Sequence, residues 1–239
     1  MLVNLLTGTL DQTLLPIYSR CQDDPGRLER GYWQSLRYTS LVALPFCILF
    51  VVFPKPIIWC LLGEEWLGAV PLMKILAIGA AVQGLGGGIY ASVIYASGKP
   101  YLAAAYNSFR MIALPACVVI GGQWGATGVA WGFVVFNFIG RGVAQTLLSV
   151  AIGFSPVRYF RTITPPLVLA LVSAATGYAL MSLAAGNALG ELLWFAVPAA
   201  LVTFGVYLLL CWFFMHTEMS SLLQLIIALV KRKSPISQE

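Results

Sequence analysis

Charge is what this chain has least of. Only 10% of its 239 residues are Asp, Glu, Lys or Arg, against about 25% in soluble domains. So few charges would not cover a body of this size in water, and a soluble fold is excluded. Histidine is nearly absent: the single one, His216, ends an apolar run beside Glu218 and reads as a solvated residue at an interface. Cysteine occurs five times (Cys21, Cys47, Cys60, Cys117, Cys211) without CxxC or His-rich spacing, so free thiols are expected and no metal site. No two carboxylates suggest one reaction centre, since Glu64-Glu65 reads as a solvated turn. Between the apolar runs no loop has the length a membrane glycan polymerase needs for its catalytic groups. No catalytic residue, no cofactor and no enzyme activity are therefore assigned. The start, Met1-Leu2-Val3-Asn4, has neither a basic n-region nor a small-residue cleavage site, so it is not a signal peptide. The net charge of +5 does not point to nucleic acid, because the basic residues form short clusters between apolar runs rather than an aromatic-interleaved face.

What is present is hydrocarbon. The chain is 59% hydrophobic, its mean hydropathy is +0.86, and its apolar runs have the length of about 20 residues that crosses roughly 30 Å of lipid. The pattern predicts an all-α, polytopic transmembrane bundle of about seven spans, near 2–20, 38–53, 70–97, 101–120, 126–150, 165–185 and 192–215. Residues 216–239 are expected as a cytoplasmic interfacial helix with the basic tail Lys231-Arg232-Lys233. Asp24-Pro25 starts a short helix ahead of the second span, with an acidic N-cap and proline at N1. Trp59 and Trp66 suit a headgroup-level piece after Pro54-Lys55-Pro56, and Ser155–Thr164 interleaves basic and aromatic residues as interfacial segments do.

Some spans are not purely apolar. The first carries Asp11, which costs roughly 2.5–3.5 kcal/mol at the centre of a lone span; it either faces other helices or lies in a loop. The third carries Gln83 and Gly84-Leu85-Gly86-Gly87-Gly88, a run that either exposes backbone to a cavity or lets helices pack closely. The fourth and fifth each carry an arginine. Arg110 lies roughly 13 Å along its span at about 1.5 Å per residue, near the midplane, with Asn107 one turn before it. On the fifth, Asn137, Arg141, Gln145 and Ser149 recur every four residues and draw a polar stripe down one side. Lipid penalises such a stripe, so it faces other helices or a wet cavity. Guanidinium stays charged in such a place and offers a fork of donors to phosphate or carboxylate. Arg110, Arg141, Asn107, Asn137, Gln145 and Gln83 are thus the candidate substrate-binding residues of a transport cavity, with Asp11 as a coupling or ion-pair residue. The alternative is that both arginines are structural, paired with Asp11 or with backbone carbonyls.

With alternating loops, Arg20, Arg27, Arg30, Arg37, Lys99, Arg158, Arg161, Lys231, Arg232 and Lys233 share one side, and Lys55 and Lys74 the other. By the positive-inside rule the first side, with the C-terminus, is cytoplasmic. The first residue then falls on the outer side, which reads as a shortened chain.

Leu15-Pro16-Ile17-Tyr18-Ser19-Arg20, Arg27-Leu28 with Arg30, Ala43-Leu44-Pro45, Pro56-Ile57-Ile58, Leu61-Leu62-Gly63-Glu64-Glu65-Trp66, Ile75-Leu76-Ala77 and Ala96-Ser97-Gly98-Lys99 form a recognisable series. It resembles the C-terminal half of bacterial polysaccharide or lipopolysaccharide exporters of the Wzx type, in the multidrug/oligosaccharidyl-lipid/polysaccharide (MATE-like) flippase superfamily. The resemblance implies two helical lobes around a central cavity, of which this chain is the second. It implies alternating access in the bacterial inner membrane, membrane lipids and a lipid-linked glycan as partners, and a missing N-terminal lobe. Its substrate would be an undecaprenyl-pyrophosphate-linked oligosaccharide or polysaccharide repeat unit. A non-transporting subunit or degenerate half-transporter is the other reading. A drug-antiporter lobe fits less well, because such a cavity favours acidic residues.

Overall fold

A computed structural model describes residues 25–86, 89–183, 189–216 and 219–220. Among the described residues the regular structure is helical: α1 (Pro25–Val52), α2 (Pro54–Leu62), a 3-10 turn (Glu64–Ala69), α3 (Val70–Gly84), α4 (Ile89–Ala96), α5 (Pro100–Gly122), α6 (Gly125–Ile152), α7 (Pro156–Leu183) and α8 (Leu189–Phe214). Among the described residues, six stretches are long and apolar enough to cross a membrane: Gly26–Val52, Glu64–Ala96, Pro100–Gly122, Gly125–Val150, Val157–Leu183 and Trp194–Phe214. The chain is a multi-pass helical membrane protein. The span expected near 2–20, with Asp11, and most of the tail after 216 lie outside the described residues.

The long helices pack in series: α5 on α6, α6 on α3, α3 on α1, α1 on α7 and α7 on α8. α1 holds the middle, and its sequence shows why. Leu28, Tyr32 and Leu36, then Leu41, Leu44, Ile48 and Val52, recur at three to five residues and all are buried. Pro45 lies inside this helix, so the Leu41 carbonyl, four residues earlier, loses its helical donor. The Tyr207 hydroxyl of α8 donates to that carbonyl at 3.1 Å. A hydroxyl from a neighbouring helix thus makes a span with an internal proline tolerable in lipid.

Two helices begin earlier than the apolar pattern suggests. α1 starts at Pro25 and runs on through the stretch expected to be separate, because nothing between Gly31 and Tyr38 breaks it and Tyr32, Trp33 and Leu36 are buried there. α7 starts at Pro156, so the segment expected to be interfacial is its first turns. At 28 residues each, or about 42 Å, both are longer than the roughly 30 Å of hydrocarbon. The span expected over 70–97 is in two pieces. α3 ends at Gly84, Leu85-Gly86 turns with Gly86 at φ +98°, and α4 is described from Ile89.

α5 and α6 form a hairpin whose backbones nearly touch. A Cβ added at Gly128 would meet the Gly121 carbonyl, and one at Gly132 the Cys117 carbonyl. Small residues four apart permit this approach.

Candidate functional site

The two span arginines stand in different surroundings. Arg141 points into the bundle. Its Nη1 donates to the Gly86 carbonyl at 2.8 Å, at the break between α3 and α4. The adjoining Leu85 carbonyl accepts the Tyr159 hydroxyl of α7 at 3.1 Å. A broken helix leaves carbonyls without donors and a partial negative charge at its C-terminal end, so guanidinium and phenol satisfy what the glycine run exposes. One turn on, Gln145 is 7% exposed, and its Oε1 accepts the Tyr32 hydroxyl of α1 at 3.2 Å. Two buried nitrogens, Arg141 Nε and Gln145 Nε2, have no hydrogen-bond partner. Each unmet donor costs about 1–3 kcal/mol.

The ends of the polar stripe do not reach across. Asn137 Nδ2 donates to the Phe133 carbonyl of its own helix at 2.8 Å, and the Ser149 hydroxyl to the Thr146 carbonyl at 2.7 Å. Gln83 is half-buried and lines a separate cleft of about 700 Å³ with Cys47, Ile58, Met73 and Phe133, between α1, α2, α3 and α6.

Arg110 is half-buried on α5, its guanidinium carbon 6.0 Å from the ring centres of both Tyr106 and Phe136. Tyr106 meets Tyr90 of α4 edge to face at 4.4 Å. The guanidinium thus lies beside two rings and within hydrogen-bonding reach of the Tyr90 side chain, and the described residues show no ion pair to it. Asn107, one turn earlier, is exposed. The structure therefore groups Arg141 with Gln145, and Arg110 with aromatic rings. It sets Asn107 on the outer side of α5 and Gln83 in a cleft of its own. Asp11 is outside the described residues.

Sequence reasoning missed the tyrosines. Tyr32, Tyr159 and Tyr207 look like ordinary apolar-face residues, yet each hydroxyl serves a polar group on another helix. It missed one ion pair as well. At the basic end, Arg158 Nη1 of α7 binds Glu29 Oε1 of α1 at 2.6 Å, the Trp33 indole donates to the same oxygen at 2.9 Å, and the guanidinium lies 5.5 Å from the Trp33 ring. The four-residue spacing of Glu29 and Trp33 was the available signal.

Comparison with known proteins adds identity. Residues 1–71 match the family model described as polysaccharide biosynthesis protein. The lipopolysaccharide biosynthesis protein WzxC of Escherichia coli K12 is 25% identical over 182 residues, 73% of this chain and 36% of that protein. An uncharacterized membrane protein in the cps region of Klebsiella pneumoniae is 26% identical, over 68% of this chain and 34% of its own length. The teichuronic acid biosynthesis protein TuaB of Bacillus subtilis 168 is 26% identical, over 68% and 33% respectively. The chain thus spans about a third of the length of the curated relatives it matches. No solved structure matches it. Motifs, helical architecture and these matches agree: this chain is similar to membrane proteins of polysaccharide biosynthesis, WzxC and TuaB among them.

Proposed function

We propose that this chain is one lobe of a transporter that flips lipid-linked glycan, of the undecaprenyl-pyrophosphate class, across the bacterial inner membrane. It works by alternating access against a second lobe and carries out no covalent chemistry. One observation carries the reading. α5, at one end of the helix series, bears Asn107 and Ser108 exposed and Arg110 half-exposed. A mid-span cation turned to lipid costs roughly 2.5–3.5 kcal/mol, so this side faces protein or water. Arg110 is then the group that meets the pyrophosphate or an acidic sugar, and Asn107 serves sugar hydroxyls. Arg141 stands behind it in a positioning role, because its donor is engaged by the Gly86 carbonyl.

The basic residues Arg27, Arg30, Lys99, Arg158 and Arg161 lie at one end of the antiparallel helices, with Lys55, Glu64 and Glu65 at the other. We assign the first end, and the C-terminus, to the cytoplasm. Complementation of a flippase-deficient strain tests the function. Expressed by itself, the chain is expected to give no export, and export is expected when it is joined to an N-terminal lobe. Export by the isolated chain as a monomer would refute the one-lobe reading. Labelling of introduced cysteines at Arg30 and Glu64 tests the orientation, and access to Arg30 from the periplasm would reverse it.

A further inference from the structure

The proposed function leaves the outward side of α7 without a role. We propose that its first two turns bind an anionic phospholipid. The phosphate is held by Arg158 and Arg161, and the acyl chains lie along the apolar residues beyond them.

The shape comes from the helical pattern. α7 packs against α1 and α8 and buries Tyr159, Ile163, Ala170 and Ser173. Val157, Phe160, Arg161, Thr164, Val168 and Leu171 stand at i, i+3, i+4, i+7, i+11 and i+14, so they share the opposite side. All six are exposed. Beyond Thr164 this side is apolar at Val168 and Leu171, the chemistry that lipid covers. From Arg161 to the end of the helix at Leu183 is about 33 Å at about 1.5 Å per residue, close to the roughly 30 Å of hydrocarbon. The stretch beyond Arg161 therefore spans the hydrocarbon by itself, which puts both guanidinium groups at headgroup level.

Charge names the occupant. From Pro156 to Leu183 the helix carries Arg158 and Arg161 and no carboxylate. Spaced three apart, they are neighbours on the helix surface and can share one phosphate. Arg158 gives Nη1 to Glu29 at 2.6 Å and lies 5.5 Å from the Trp33 ring, which orients it. A guanidinium has five donors, and this side chain is 52% exposed, so N–H groups remain for an oxygen from outside. Glu29 offsets one of the two charges; Arg161 makes no ion pair among the described residues. Arg30, next to Glu29 on α1, is exposed as well. The excess positive charge selects a headgroup that is negative overall. A phosphodiester meets the guanidinium donors directly, whereas a zwitterionic headgroup brings an ammonium to the same arginines. The exposed Val157 and Phe160 beside Arg161 add the apolar contact that a lipid offers and free phosphate does not. This inference does not rest on the transport reading, because its test uses neither glycan nor export.

Native mass spectrometry of the full chain, released from detergent with added lipid, is the test. Dissociation constants are measured for phosphatidylglycerol and for phosphatidylcholine with the same acyl chains. The parent is expected to bind phosphatidylglycerol about tenfold more tightly, or better. Arg161→Gln should weaken phosphatidylglycerol about fivefold, the effect of one basic residue at an anionic surface. Arg158→Gln combined with Arg161→Gln should bring the two lipids level. Lys55→Gln, which removes an exposed cation at the opposite end, should leave both constants unchanged. Equal affinity of the parent for the two lipids overturns the site, and so does an equal loss in Lys55→Gln, which reports net charge alone. Displacement of phosphatidylglycerol by millimolar inorganic phosphate overturns the lipid as occupant in favour of the free anion. If the double variant does not accumulate, Arg161→Gln decides, since it leaves the Arg158–Glu29 pair in place.

Discussion

The two helices at the ends of the packing series, α5 and α8, are both exposed over much of their length, and they expose opposite chemistry. Outward residues of α8 include Trp194, Phe195, Val197, Leu201, Leu209 and Phe213, all apolar. α5 mixes Met111, Ile112 and Val119 with exposed Asn107 and Ser108 and half-exposed Arg110. The outward face of α8 needs only lipid to cover it. The face of α5 needs a partner that can solvate a guanidinium. Exposure alone does not separate a lipid face from a protein or cavity face; the polar atoms within it do. Under the one-lobe reading proposed above, the α8 face is the side for the bilayer and the α5 face the side for the counterpart.

The comparison breaks most sharply at Arg110. In the two-lobe assembly, Arg110→Ala is expected to abolish export, a loss of about 2–5 kcal/mol in binding of the anionic group, with membrane abundance near the parent level. Arg110→Lys should keep part of the activity, since charge remains while the bidentate fork is lost. Leu201→Ala on α8 should leave export within about twofold, because it only trims a lipid contact. Transport assays at matched abundance would show it. If Arg110→Ala instead lowers abundance and spares export per molecule, α5 is a structural helix and the contrast between the edges is void.

Swapping the chemistry is the second way to test it. Leu209→Arg places on α8 the kind of group that α5 already carries. With lipid outside, it is expected to cost roughly 2.5–3.5 kcal/mol on insertion and to deplete the folded protein. Ile112→Arg on α5 should cost clearly less, because that side has polar company. Membrane abundance of the two variants is the measurement. Equal depletion would mean that both edges face lipid.

The inward side of α8 gives a smaller effect. Tyr207→Phe keeps the ring and removes the donor to the Leu41 carbonyl, which Pro45 has already deprived of its helical partner. A loss of about 1–3 kcal/mol is expected, read as a lower Tm in detergent. Replacing Pro45 by alanine in the same chain should recover most of it, since the carbonyl regains a helical donor.

Much of this was legible in the sequence, and the remainder was hidden for physical reasons. Class and span positions follow from run length and hydropathy, as in the hairpin from Pro100 to Ile152. Glycines 84–88 announced a weak helix, and α3 does end there. The polar stripe was visible as a stripe, yet its division was not. Asn137 turns back on its own helix while Arg141 crosses to another, and periodicity says which face a residue is on but not what lies opposite. That Arg110 and Arg141 stand in different environments depends on where α4 packs, which local sequence does not encode. The starts of α1 and α7 were placed late because hydropathy reports where lipid begins, whereas a helix continues until its backbone pairing fails.

The smallest expected effect contrasts the interior break with the basic rim. At the break, Arg141 is half-buried and donates to the Gly86 carbonyl from another helix. At the rim, Arg158 and Glu29 make a shorter contact, 2.6 Å, but their side chains are 52% and 33% exposed. Water and salt screen the pair, and its worth is about 0–1 kcal/mol. Glu29 also accepts the Trp33 indole, so Glu29→Gln loses the charge while its side-chain carbonyl still accepts that bond. The expected result is a Tm within a degree or two of the parent, a difference that shrinks further in high salt. Arg141→Met should lower Tm by clearly more, and salt should not recover it, because the buried carbonyl stays without its donor. Double-mutant cycles at low and high salt, for Glu29→Gln with Arg158→Gln, would measure the rim. A coupling above about 2 kcal/mol that ignores salt would make the rim pair, rather than the interior bonds, the main tie between helices.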